Sequence, residues 1–279
     1  MADARGLTGL RNPAVVAAFG GWNDACEAAS GVIDHLVDHY RAELAFALDP
    51  EDYYDFQVNR PGLKLVGDRR VLEWPTTEVL VAHLEERDLV LIGGPEPNFR
   101  WQAFSARLMS MLRSINPEMV VLLGAMLTDA PHSRPVPVAG SASPASLAGE
   151  LGMEPSDYEG PTGIVGVLAN ECERSAIPVV SLWASVPHYV SEPPNPKATL
   201  ALLARLEGVL NLALDSGEMV EAATAWIAQV DELVADDPDI ATYISALEER
   251  RDETTPAPTG DVIAAEFERY LRRRDQRRG

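Results

Sequence analysis

Apolar residues along the chain fall into two patterns that take turns. Ala14-Val15-Val16-Ala17-Ala18-Phe19, Leu89-Val90-Leu91-Ile92, Met119 to Leu123 and Pro178 to Trp183 are short continuous runs. Such runs predict strands buried on both faces. Between them the apolar positions recur at helical spacing. One set is Ala25, Ala28, Ala29, Val32, Ile33, Leu36, Val37 and Tyr40; another is Trp101, Phe104, Leu108, Met111, Leu112 and Ile115. Ile164, Val167, Leu168 and Cys172 form a third helical face, opened by Gly160-Pro161-Thr162-Gly163, and Lys197 to Leu214 a fourth. Asn23 or Asp24 is placed to cap the first helix, with Glu27 in the capping-box position after Asp24. Ser143 is placed to cap a short one.

The remaining segments are shorter. Leu44 to Leu48 predicts a strand, and Asp49 to Asp55 an acidic loop that carries tyrosines. Leu63 to Val66 and Arg70 to Trp74 predict a hairpin around Gly67-Asp68. Pro131 to Val138 is so dense in proline that only an edge strand or a loop can hold it. Strands alternate with helices through about residue 215, which predicts an α/β fold with a mostly parallel sheet covered on both faces. Beyond that point the pattern is helical only, over 218–234 and 240–250. A linker within 251–260 then leads to a last helix, 261–274, with a basic end (Arg269, Arg272, Arg273, Arg274, Arg277, Arg278). The expected organisation is a core domain of residues 1–215 and a C-terminal helical subdomain of residues 216–279.

Composition narrows the function classes. The formal net charge of -20 opposes non-specific binding to nucleic acid and to anionic lipid, and it disfavours the basic end as a nucleic-acid arm. Met1 to Leu10 holds no apolar segment of the kind a signal peptide needs. No run approaches the length of a membrane span. Cys26 and Cys172 match no zinc or redox spacing. A reduced, cytoplasmic setting is expected.

The chain has no GxSxG elbow, no GxxxxGK[ST] loop, no GxGxxG fingerprint and no HExxH helix. No cofactor and no metal site is expected. His35 and His39 are four apart, as metal ligands can be, but they stand beside Asp34 and Asp38 on what reads as a solvated helix face. Cys26 lies in a first helical turn, which can activate a thiol; a small residue packed on the sheet is the competing reading.

The strand-end loops carry more. Gly20-Gly21 ends the first strand and Gly93-Gly94 ends another, and ligands of parallel sheets bind beyond such carboxyl ends. The candidate pocket comprises Gly21, Trp22, Asn23 and Asp24, then Gly94, Glu96 and Asn98, then His132 and Arg134, with Thr162, His188 and Tyr189. The alternative for Asn23 and Asp24 is helix capping alone.

Taken in order, Gly21-Trp22-Asn23-Asp24-Ala25, Gly94-Pro95-Glu96-Pro97-Asn98, Pro131 to Val138, Tyr158 to Ile164 and Pro187-His188-Tyr189-Val190 make the chain resemble the proteasome assembly chaperone 2 family, in its actinobacterial branch. The resemblance runs from about Val15 to Leu214. It implies a three-layer α/β/α core like that of nucleoside phosphorylases and related hydrolases, self-association into a homo-oligomer, and a proteasome-related protein partner. Position 26 is Cys where relatives commonly carry Gly, so the first turn is expected to be less open to a ligand. The end Arg277-Arg278-Gly279 lacks the hydrophobic-Tyr-any residue tail by which some archaeal relatives dock on the proteasome.

Two readings follow. The first is a non-enzymatic assembly chaperone or scaffold. The second is a small-molecule phosphorylase or hydrolase, in which Asn23 and Arg134 hold an anionic or polar group and Glu96 or Asp24 acts as acid or base. A closed crevice favours the first; convergence of Asn23, Glu96 and Arg134 on an open one favours the second.

Overall fold

Continuous apolar runs make the centre of the molecule. In the computed structural model, which describes residues 4–254, seven strands form one sheet in the order β2-β5-β6-β1-β7-β9-β8. The central strands are β1 (Ala14–Gly20), β6 (Asp88–Pro95), β7 (Val120–Thr128) and β9 (Val179–Pro187). They run parallel, with β1 between β6 and β7. The flanking strands β2 (Glu43–Ala47), β5 (Glu78–His83) and β8 (Val138–Ser143) enter by antiparallel pairing. A separate hairpin joins β3 (Gly62–Val66) to β4 (Arg69–Glu73).

Helices cover both faces, completing the three layers. Period-two alternation divides β1 between two cores. Ala14, Val16 and Ala18 face a cluster with α1 (Ser30–Tyr40) and α5 (Pro196–Leu210). Val15, Ala17 and Phe19 face a cluster with α2 (Trp101–Ile115) and α4 (Ile164–Arg174). The short helix α3 (Ala145–Leu151) follows β8, and α6 (Gly217–Ala235) and α7 (Pro238–Thr254) close the described chain.

Three expectations are corrected, and two strands go beyond them. The helix from Ala25 to Tyr40 is broken: a 3-10 turn, Ala25–Glu27, precedes α1, and Cys26 and Glu27 are left-handed at φ 55° and 54°. The cause is Asp24, whose Oδ1 accepts from the amides of Ala29 (2.7 Å) and Ser30 (3.3 Å) while its Oδ2 takes the Ser30 hydroxyl (2.5 Å). The carboxylate therefore serves a helix that starts six residues later, and no capping box forms. Neither β5 nor β8 is predicted by the sequence pattern, which reads Pro131 to Val138 as an edge strand or loop. Ser143 does not cap α3, whose N-cap is Pro144 with no side-chain bond. Finally, α7 runs on to Thr254, through the start of the expected 251–260 linker. The rest of that linker, the helix 261–274 and the arginine cluster lie outside the described residues.

Asp88 anchors the start of β6. Its carboxylate accepts from the Arg11 amide (2.7 Å), the Arg11 guanidinium (3.0 Å) and His83 Nδ1 (2.9 Å). Burial alone raises its pKa, but these bonds and the adjacent His83 hold it below the usual carboxylate range.

Candidate functional site

The carboxyl ends of β1 and β6 meet at a closed junction. Gly21, at φ 106°, turns the chain so that Trp22 points outward, 67% exposed, while Asn23 is fully buried. A Cβ on Gly94 (φ 152°) would fall 2.3 Å from the Thr76 carbonyl, so only glycine lets the two backbones approach there. Backbone bonds then fasten the loops. The Glu96 amide donates to Gly20 O (2.8 Å) and the Ala125 amide to Asn23 O (2.8 Å). Asn23 Nδ2 donates to Glu96 Oε1 at 2.6 Å, and the Ile164 amide, at the start of α4, donates to the same oxygen at 2.7 Å. Glu96 thus occupies the helix N-terminus that an external anion would use.

Gly163 completes the closure. A Cβ there would lie 2.1 Å from Asn23 Oδ1, a buried oxygen with no hydrogen-bond partner among the described residues. Thr162 lies over the first turn of α4, where a Cβ on Gly166 would meet its hydroxyl at 1.9 Å. Burial, opposed by bonds from Ser30 and Ala29, raises the Asp24 pKa. Burial and the nearby Asp24 and Glu27 carboxylates also push the Cys26 thiol up. The first-turn thiol is therefore not activated. Asn98 turns away from the junction: its Oδ1 accepts from the Asp55 amide (2.8 Å) and Asn59 Nδ2 (2.7 Å).

The other candidates form a second group beyond β7 and β9, beneath the last helices. Buried His132 donates from Nε2 to Asp231 of α6 (2.9 Å), and its Nδ1 shares a hydrogen bond with the Tyr189 hydroxyl (2.8 Å). The His132 amide donates back to the same tyrosine oxygen (2.7 Å). Burial pushes the Tyr189 hydroxyl up to about 12, so it remains a donor. Lys197 donates to the carbonyls of His132 and Arg134, the latter at 2.7 Å, and burial lowers its pKa. Arg134 forks onto Asp252 of α7 (2.9 and 2.7 Å) and reaches Glu248 (3.4 Å). His188 packs edge-on against Tyr243 of α7 and pairs with Asp129 at 3.3 Å. The hollow beneath α6, walled by Ala130, His132, Val136, Asn195, Lys197 and Trp226, is too tight to admit water.

The twelve candidates therefore belong to separate groups. Gly21, Asn23, Gly94, Glu96 and Thr162 gather at the junction, with Asp24 beside it and Trp22 outside it. His132, Arg134, His188 and Tyr189 hold α6 and α7. Sequence reasoning missed the Ile164 amide, Lys197, Asp231, Glu248 and Asp252, which come from helices far along the chain. His35 is also corrected. It is buried, not solvated, and its Nε2 lies 2.6 Å from the Asp215 carbonyl. Among the described residues no three His, Cys, Asp or Glu side chains are placed to share a metal, and no helix is long and apolar enough to cross a membrane.

Comparison with known proteins places this geometry. The model of the PAC2 family matches residues 18–234. A PAC2 family protein from Streptomyces avermitilis is similar at 51% identity, with a TM-score of 0.78 over 83% of this chain and 99% of that one. A proteasome-assembly chaperone homologue from Mycobacterium tuberculosis is similar at 44% identity, with a TM-score of 0.75 over the same shares. An archaeal proteasome activator from Pyrococcus furiosus shares the fold alone, at 14% identity and a TM-score of 0.64 over 81% of this chain and 94% of that one. No curated protein matches the chain.

Proposed function

The chain belongs to the PAC2 family, and from that premise we propose that it is a non-enzymatic assembly chaperone whose partners are proteasome subunits. In this reading it works in the cytoplasm as a homo-oligomer. The observation that supports it is the closed junction. One Glu96 oxygen is taken by both Asn23 and the Ile164 amide, so the carboxylate best placed for acid-base work is spent on structure. Arg134, the anion holder of the enzyme reading, is spent on Asp252 and Glu248. The Mycobacterium relative, described as a proteasome-assembly chaperone homologue, supplies the partner class.

The test is reconstitution. Purified proteasome α-subunits are left to assemble with and without the full chain, and ring formation is followed by native mass spectrometry. A chain–subunit complex and faster ring formation are expected. Unchanged assembly with no complex overturns the proposal.

A further inference from the structure

The β3–β4 hairpin stands apart from the main sheet, and every one of its strand residues is exposed. A lone two-stranded hairpin is marginal in water unless something packs on it. Its register sorts the side chains. Leu63 faces Leu72 and Leu65 faces Arg70, so Leu63, Leu65, Arg70, Leu72 and, one step on, Trp74 share a face. Leu65 is 71% exposed, Leu63 65% and Leu72 50%. Phe56 lies tilted against Trp74, with ring centroids 4.8 Å apart, and extends the patch. On the opposite face Lys64 pairs with Glu73 at 2.7 Å. Among the described residues Arg69 and Arg70 make no ion pair.

The same segment is an island of positive charge. Residues 58–74 hold Arg60, Lys64, Arg69 and Arg70 against Asp68 and Glu73, in a chain of net charge -20. A surface of the opposite character lies where α6 passes into α7. There exposed Leu233 (67%) and Ile240 fall within one short stretch of chain with exposed Glu232, Asp236 and Asp239. The two surfaces match in hydrophobicity and oppose in charge.

We propose that the apolar face of the β3–β4 hairpin docks on the acidic α6–α7 corner of a second copy of this chain. The contact joins two different patches, so copies add head to tail and form a ring where the rotation between them closes. Arg70 supplies the charge contact and Leu63, Leu65, Leu72 and Trp74 the buried area. The proposal gives the self-association of the preceding section a surface, and rests on that part of it only.

Sedimentation velocity on the full chain tests it. The intact protein is expected well above its 30.3 kDa monomer mass. Arg70→Glu sets like charge against the corner and is expected to weaken self-association at least about tenfold. Leu65→Ser is expected to do the same without a charge change. Adding Asp236→Arg to Arg70→Glu is expected to restore assembly. Circular dichroism melts of each variant exclude misfolding as the cause. A monomeric intact chain overturns the proposal, as does unchanged mass for both single variants or failure of the charge swap to restore. The subunit-assembly assay separates the two readings. A variant made monomeric at this surface that still speeds ring formation leaves the chaperone reading standing. An oligomer with no effect on the subunits removes that reading and keeps this surface.

Discussion

At Glu96, one carboxylate oxygen satisfies two donors from segments 73 and 68 residues away. Glu96→Ala leaves both donors without their partner, and a loss of about 1–3 kcal/mol is expected in urea denaturation. Glu96→Gln keeps an acceptor oxygen and is expected to lose clearly less. Gly163→Ala forces a methyl against Asn23 Oδ1 and is expected to cost about 1–3 kcal/mol by overpacking. Asp88 sets a pH dependence. Its folded pKa is depressed, so its stabilisation is complete above its ordinary value of 3.8 and is lost as pH falls through the lower folded value. The stability gap between the intact chain and Asp88→Asn is therefore expected to be full at pH 6 and to close below pH ~4. The glycines that shape the junction are legible in the sequence, because Gly-Gly after an apolar run has few other uses. The choice of Glu96 rather than Asp24 as Asn23's partner is not. Both lie within reach of a strand end, and only the placement of α4's first amide decides between them.

Among the elements, α7 is held to the core by two buried apolar residues and a set of surface charge pairs. Ile244 and Leu247 are its buried apolar positions, while Glu248 and Asp252 engage Arg134 and Tyr243 reaches Asp129. Exposed ion pairs are screened by salt. Amide exchange in α7 is therefore expected to quicken in ~1 M NaCl, where the Debye length falls to about 3 Å. The same change is expected in Arg134→Gln, with exchange in β1 and β7 unaltered in both cases; hydrogen-exchange mass spectrometry checks it. The central strands and their helices were legible because burial on both faces leaves an uninterrupted apolar run. β5 was hidden. Val79 to Ala82 is only four residues, behind a hairpin whose leucines and valines read as strand equally well. The break at Cys26 was hidden too, since the apolar spacing continues across it and the long reach of Asp24 leaves no periodic trace. The partners of His132 and Arg134 come from 99 and 118 residues downstream, beyond any local pattern.

For the whole molecule, a net charge of -20 means mutual repulsion across the folded surface. Added salt is therefore expected to raise the melting temperature, by about 2–4 °C for each ~1 kcal/mol of relieved repulsion, even as it loosens α7. Calorimetry beside hydrogen exchange reads the two opposing responses, and a falling melting temperature would contradict the first. The placement of β1 bears on synthesis. It is made before its sheet partners Leu89 to Pro95 and Val120 to Leu123. A nascent chain thus carries an unpaired, apolar β1 until both partners have been made. Truncated products ending before Leu123 cannot flank that segment on both sides, and they are the species that cellular holdases and proteases would meet.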